Sequence, residues 1–220
     1  MPDGPSEIFV FDALGTLFDL RSAVRRHTGA IGIDAARLSE IWRAKQLEYT
    51  WFHAARGTHV PFRNLTRDSL IYALDLLKVS HDHAPQLLEG YQSLEAFPEV
   101  AECLTSLKAR GARLAILSNA DTDMIDDLVE AAGFQALIEF RISVVVAGTF
   151  KPAPQVYALA QEVFSVPSCE MTFVSSNRWD AAGAKASGFR TVWVNRTNAP
   201  KEYNDLAADQ IIENLEPLSR

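Results

Sequence analysis

Ile8-Phe9-Val10-Phe11-Asp12-Ala13-Leu14-Gly15-Thr16-Leu17-Phe18-Asp19 decides how the rest of the chain is read. A short apolar run of strand type, Ile8 to Phe11, ends in a single acid, and a glycine turn and a hydroxyl follow at once. A carboxylate at the end of a buried strand is costly unless something there uses its charge. In open parallel sheets the carboxyl edge is where ligands bind, so such a use exists. Asp12 taken alone fits a turn cap better. The surrounding chain has to decide.

Before this stretch, Met1 to Pro5 carries neither a basic region nor a long apolar run, so no secretory signal is visible. No stretch approaches the roughly 18 apolar residues of a membrane span, and a soluble, cytoplasmic protein is expected. The 220 residues, 48% hydrophobic and 22% charged, suit one domain or a core with a smaller cap. A net charge of -7 argues against nucleic acid or an anionic membrane as partner. An anionic substrate would have to be held by a few local cations. Cys103 and Cys169 sit among apolar neighbours and are expected to be buried packing thiols, without disulfide or metal. The five histidines show no ligand spacing.

After the opening strand, residues 22–95 carry helical periodicity. Leu38, Ile41, Trp42, Tyr49 and Phe52 form one stripe, and Leu47, Trp51 and Ala55 add a second apolar face, which predicts a helix buried on more than one side. Thr66 is expected to N-cap the next helix, and Pro85 to open a third. From Pro98 the chain alternates. Strands are expected over Arg113 to Leu117, Ile142 to Val146, Met171 to Val174 and Thr191 to Val194, with helices between them and an uninformative tail after Pro200. This is an α/β pattern: a doubly wound, Rossmann-like parallel sheet built from residues 1–21 and 96–220, with a helical cap subdomain, 22–95, inserted after the first strand.

Polar groups fall at the ends of the apolar strands: Asp12 and Thr16, Ser118 and Asn119, then Ser175, Asn177 and Asp180, with Lys151 opening a helix between the last two sets. Each singly fits a helix cap or a solvated side chain. Their joint placement on one sheet edge points to a shared pocket.

These positions resemble, motif by motif, the haloacid dehalogenase superfamily. Phe11-Asp12-x-x-Gly15-Thr16-Leu17-x-Asp19 resembles its nucleophile motif, Ser118-Asn119 the second, Lys151-Pro152 the third and Ser175 to Asp180 the fourth. Trp42-Arg43-Ala44-Lys45-Gln46-Leu47-Glu48-Tyr49-Thr50-Trp51 and Ser175-Ser176-Asn177-Arg178-Trp179-Asp180 are similar to the type II, L-2-haloacid dehalogenase family, and this resemblance spans essentially the whole chain.

The resemblance implies hydrolysis of L-2-haloacids to 2-hydroxy acids, without cofactor or metal, by a homodimer. Asp12 would attack C2 and form an ester that water opens. Arg43 and Asn119 would receive the halide, and Ser118 would hold the substrate carboxylate. Lys151, supported by Tyr157, would offset the charge around Asp12. Thr16, Ser175 and Asn177 would orient Asp12 and the hydrolytic water, and Asp180 would polarise that water or position Lys151. Leu14, Leu47, Phe62 and Trp179 would wall the pocket. The superfamily's phosphatases carry a second acid where this chain has Leu14, which weakens a Mg²⁺ site and disfavours phosphoryl transfer. The type II family usually has Tyr at Leu14 and Gln at Ala44, so this chain departs from it at both positions. A phosphatase, or a catalytically weak binder of a small carboxylate, is the alternative.

Overall fold

In the computed structural model, which describes residues 7–32 and 35–219, the run Ile8–Phe11 is strand β1 and all four residues are buried. Burial on both sheet faces is what a continuous apolar run requires. Removing such a side chain from water contributes roughly 1.5–3 kcal/mol. A charge at Val10 would break the strand. The short β2 (Phe18–Asp19) follows, and then five helices: α1 (Ser22–Arg25), α2 (Thr28–Ile31), α3 (Ala35–Ala55), α4 (Phe62–Leu77) and α5 (Ala84–Gln92). β3 (Glu95–Ala96) pairs antiparallel with β2, so the chain leaves for the helical segment and returns through one two-stranded ribbon.

The alternating part comprises α6 (Val100–Ala109), β4 (Arg113–Ser118), α7 (Thr122–Ala131), β5 (Phe140–Ser143), α8 (Pro154–Phe164), β6 (Met171–Ser175), α9 (Arg178–Ala186), β7 (Arg190–Val194) and β8 (Gln210–Ile212). Six of the strands form one parallel sheet in the order β5-β4-β1-β6-β7-β8. β1 therefore lies between β4 and β6, with Phe11 opposite Ile116 on one side and Val174 on the other. The chain ends of these three neighbours meet at one edge.

Several sequence expectations are corrected. The strand expected over Ile142 to Val146 is β5, which starts at Phe140 and stops at Ser143, and Val144–Ala147 is a 3-10 turn. The Ser143 hydroxyl accepts from Val145 N and donates to Ala120 O, which turns the valines out of the sheet. Thr66 is not an N-cap. α4 begins at Phe62, and its first N–H groups, on Phe62 and Arg63, donate to the carboxylate of Asp121 at 2.9 and 3.0 Å. That carboxylate, supplied from beyond β4, ties the helical segment to the sheet.

The expected burial of α3 on two sides does not hold at its C-terminal end: Trp51, of the second face, is 40% exposed and Phe52, of the first stripe, 55%. Cys103 is buried but Cys169 is exposed, and both are free thiols. The tail holds β8, parallel to β7, although three residues gave no periodicity to read. Among the described residues, no helix is long and apolar enough to cross a membrane.

Candidate active site

Asp12 stands one residue beyond β1, its N–H donating to Val174 O at 2.9 Å, and the residue is 5% exposed. Gly15 has φ +88°, a conformation that L side chains rarely adopt, and this turn brings Thr16 back over Asp12. The two carboxylate oxygens are treated differently. Oδ2 accepts from Thr16 Oγ1 at 2.9 Å and Asn177 Nδ2 at 2.8 Å, with Ser175 Oγ at 3.4 Å. Among the described residues, Oδ1 accepts only from Lys151 Nζ, at 3.1 Å.

The hydroxyls are oriented by backbone. Thr16 Oγ1 accepts from Ser176 N at 2.8 Å, which points its proton at Asp12. Ser175 Oγ accepts from Asn177 N at 3.1 Å and has one proton to give. The nearer acceptor is Asp180 Oδ2, at 3.0 Å.

Lys151, 1% exposed, puts its ammonium between two carboxylates, at 3.1 Å from Asp12 and 2.9 Å from Asp180. Burial alone would lower its pKa, but the charges of Asp12 and Asp180 overcome that and raise it above 10.5, so the cation is held. Burial pushes the fully buried Asp180 up to about 6, with the charge of Asp12 adding and Lys151 opposing. Tyr157 donates to Asp180 Oδ1 at 2.7 Å, and burial keeps its phenol protonated by raising it well above 10. Tyr157 was expected to support Lys151 and reaches it only through Asp180.

Asn119 accepts from Lys151 N through Oδ1 at 2.9 Å, which fixes the amide and leaves its Nδ2 without a partner among the described residues. Ser118, buried at the end of β4, accepts from Ala120 N at 3.2 Å.

Arg43 reaches this edge from α3. Nη2 lies 3.4 Å from Asn177 Oδ1 and Nη1 donates to Gln46 Oε1 at 2.8 Å. No carboxylate among the described residues pairs with it. Arg43, Ala44, Asn177, Trp179 and Trp193 line one cleft of about 750 Å³. Trp179 packs edge-on against Trp51, ring centroids 5.6 Å apart. The expected pocket walls do not all meet there. Leu14 is buried and its carbonyl accepts from Asn177 Nδ2 at 3.1 Å. Phe62 is fully buried at the start of α4, and neither it nor Leu47 lines the cleft.

Sequence reasoning missed the polar group behind Arg43. Gln46 is fully buried, accepts from Tyr91 OH at 3.1 Å and donates to Thr66 Oγ1 at 2.7 Å. The available signal was an amide in step with Trp42 and Thr50 on the buried stripe of α3.

Among the described residues, no group of three or more His, Cys, Asp or Glu could hold a metal ion. Residues 7–188 match the model of the haloacid dehalogenase-like hydrolases. The (S)-2-haloacid dehalogenase 1 of Pseudomonas sp. strain CBS-3 is 40% identical over 202 residues, covering 91% of this chain and 89% of that protein. This chain belongs to the (S)-2-haloacid dehalogenase family. Solved dehalogenases share its fold throughout. One, with a TM-score of 0.94 and 34% identity, covers 99% of this chain and 97% of its own. Another is the L-2-haloacid dehalogenase from Xanthobacter autotrophicus with chloropropionic acid covalently bound, with a TM-score of 0.89, 34% identity and 98% coverage of each chain. The family membership makes this chain a hydrolase with an α/β core of the haloacid dehalogenase type.

Proposed function

We propose that the protein hydrolyses short-chain L-2-haloalkanoic acids to 2-hydroxy acids through an ester on Asp12, without a metal. The observation that carries this reading is the asymmetric Asp12 carboxylate. Oδ2 is occupied by Thr16 and Asn177, while Oδ1 has one donor among the described residues, Lys151, and keeps a lone pair for attack. Oδ1 attacks C2 in line, the C2–halogen bond breaks, and halide leaves with the bonding pair. Arg43 and the Nδ2 of Asn119 receive the halide, and a guanidinium keeps its charge at any working pH. Ser118 and neighbouring N–H groups hold the substrate carboxylate, and Trp179 walls the cleft.

In the ester, Oδ2 becomes the carbonyl oxygen. Its donors, Thr16 and Asn177, then polarise the bond that water must attack. Water adds to the Asp12 carbonyl carbon and gives its proton to Asp180. Collapse expels the 2-hydroxy acid oxygen, which takes the proton left on the added water oxygen, Asp180 releases its proton to solvent, and C2 has been inverted once. Lys151 supplies positive charge directly beside Asp12. The covalent chloropropionate in the Xanthobacter enzyme supports the ester step. Residues 22–95 act as the cap that brings Arg43 to the sheet edge. The exposed Phe52 and Leu76 on that cap support assembly as a homodimer, which the molar mass in solution tests.

Halide release from L- and D-2-chloropropionate, with EDTA and with Asp12→Asn as control, tests the reading. Release from the L form alone, unaffected by EDTA and absent in the variant, is expected. Release from neither form, or loss of activity in EDTA, contradicts it.

A further inference from the structure

The guanidinium of Arg43 is held by amides. Nη1 donates to Gln46 Oε1 at 2.8 Å, and Nη2 lies 3.4 Å from Asn177 Oδ1. Several arginines elsewhere are tied to acids, Arg113 to Glu139, Arg141 to Asp126, and Arg63 to Asp121 and Asp123, while Arg178 is held by backbone carbonyls. Gln46 has the shape of a glutamate and could have been one. Its own orientation is fixed from two sides, because Tyr91 OH donates to Oε1 at 3.1 Å and Nε2 donates to Thr66 Oγ1 at 2.7 Å. The second contact decides the flip of the amide. Thr66 spends its proton on Phe62 O at 2.9 Å, so its oxygen can only accept, and Oε1 must face Arg43. Trp42 Nε1 donates to Thr66 O at 2.8 Å and packs on Tyr91, ring centroids 5.2 Å apart, which locks the cluster.

We propose that Gln46 is a positioning residue that fixes Arg43 without neutralising it, so that its whole positive charge faces the departing halide. This rests on the assignment of Arg43 as a halide acceptor. A neutral acceptor orients a guanidinium through one hydrogen bond and leaves its charge to the ligand. A carboxylate in the same place would orient it equally well and cancel the attraction. Tyr91 stays a donor because burial pushes its pKa up to about 12. It therefore supports the amide at any working pH.

The test separates charge from geometry with Gln46→Glu, which keeps size and contact, and Gln46→Met, which keeps length but removes the hydrogen bonds. Two readouts are taken on each: kcat and KM for L-2-chloropropionate, and the affinity for bromide by titration calorimetry, which needs no turnover. Q46E is expected to weaken bromide by about tenfold or more and to lower kcat with it, the loss of a charged contact. Q46M is expected to raise KM by a few fold and leave a larger share of kcat. A Q46E protein that binds bromide and turns over within twofold of the parent overturns the proposal. If the parent releases no halide from any haloacid, the proposed reaction fails, and the bromide titration still decides the role of Gln46. Should Q46E not fold, Tyr91→Phe removes one support of the amide. A bromide affinity unchanged in that variant and in Q46M contradicts the inference.

Discussion

Lys151 Nζ lies 3.1 Å from Oδ1 of Asp12, and both groups are almost wholly out of water. A buried cation beside Asp12 lowers the cost of bringing a substrate carboxylate near it. The same contact carries the fold, because Asp180 shares the ammonium. Lys151→Met therefore leaves two buried carboxylates facing each other. Halide release is expected to fall at least about a hundredfold. Urea unfolding is expected to record a loss of about 3–5 kcal/mol, the consequence of removing one partner from a buried pair.

Asp180 is pushed up to about 6 by burial and by the charge of Asp12 against the opposing Lys151, and in the proposed mechanism it has to be ionised to take a proton from water. Turnover is thus expected to fall as pH drops through about 6. It should hold level above that, until Lys151, raised above 10.5, loses its proton. Single-turnover traces across that range place the loss in ester hydrolysis, and halide release persists to lower pH. A steady-state rate flat from pH 5 to 8 contradicts the role of Asp180.

A methyl group at a helix glycine reaches the site from behind. A Cβ on Gly183 would stand 2.5 Å from Tyr157 Oη and 2.8 Å from Pro152 Cβ, closer than van der Waals contact allows. Gly183→Ala should displace the phenol from Asp180 and resemble Tyr157→Phe. Each is expected to cost about 1–3 kcal/mol of stability through the unsatisfied buried carboxylate. Each should also slow ester hydrolysis more than halide release. Thermal melts and the pre-steady-state burst of halide measure the two effects.

Ala44 is exposed on the cleft next to Arg43, where the type II family usually carries Gln. The shorter side chain leaves room along the wall formed with Trp179. Ala44→Gln is expected to lower kcat/KM for 2-chlorohexanoate relative to 2-chloropropionate by about tenfold or more, the scale of a few apolar contacts. An unchanged ratio would remove Ala44 from substrate selection.

The strand-end residues were legible because two signals coincide there: an apolar run that must be buried and a polar group placed where it stops. Asp12 follows β1, and Ser118 and Ser175 end β4 and β6; these strands are neighbours in the sheet, so distance along the chain did not hide them. Arg43 and Trp179 were read only through family resemblance, since a helix pattern gives no sign of which residue meets a distant strand. Val144 to Val146 misled because β-branched residues favour strands, and one serine hydroxyl overrode that preference. Thr66 misled because a helix start can be capped from elsewhere in the chain, here by Asp121. Gln46 and Tyr91 were invisible as a pair, because they lie on different helices and meet only in three dimensions.

The proposed covalent role of Asp12 is tested most directly by a single turnover in H₂¹⁸O with enzyme in excess over L-2-chloropropionate. Mass spectrometry is then applied to the lactate and to the peptide containing Asp12. Attack by Oδ1 followed by water at the carbonyl carbon predicts unlabelled lactate and one ¹⁸O in the Asp12 carboxylate. Labelled lactate with an unlabelled peptide would mean that water attacks C2 directly, and it would contradict the mechanism.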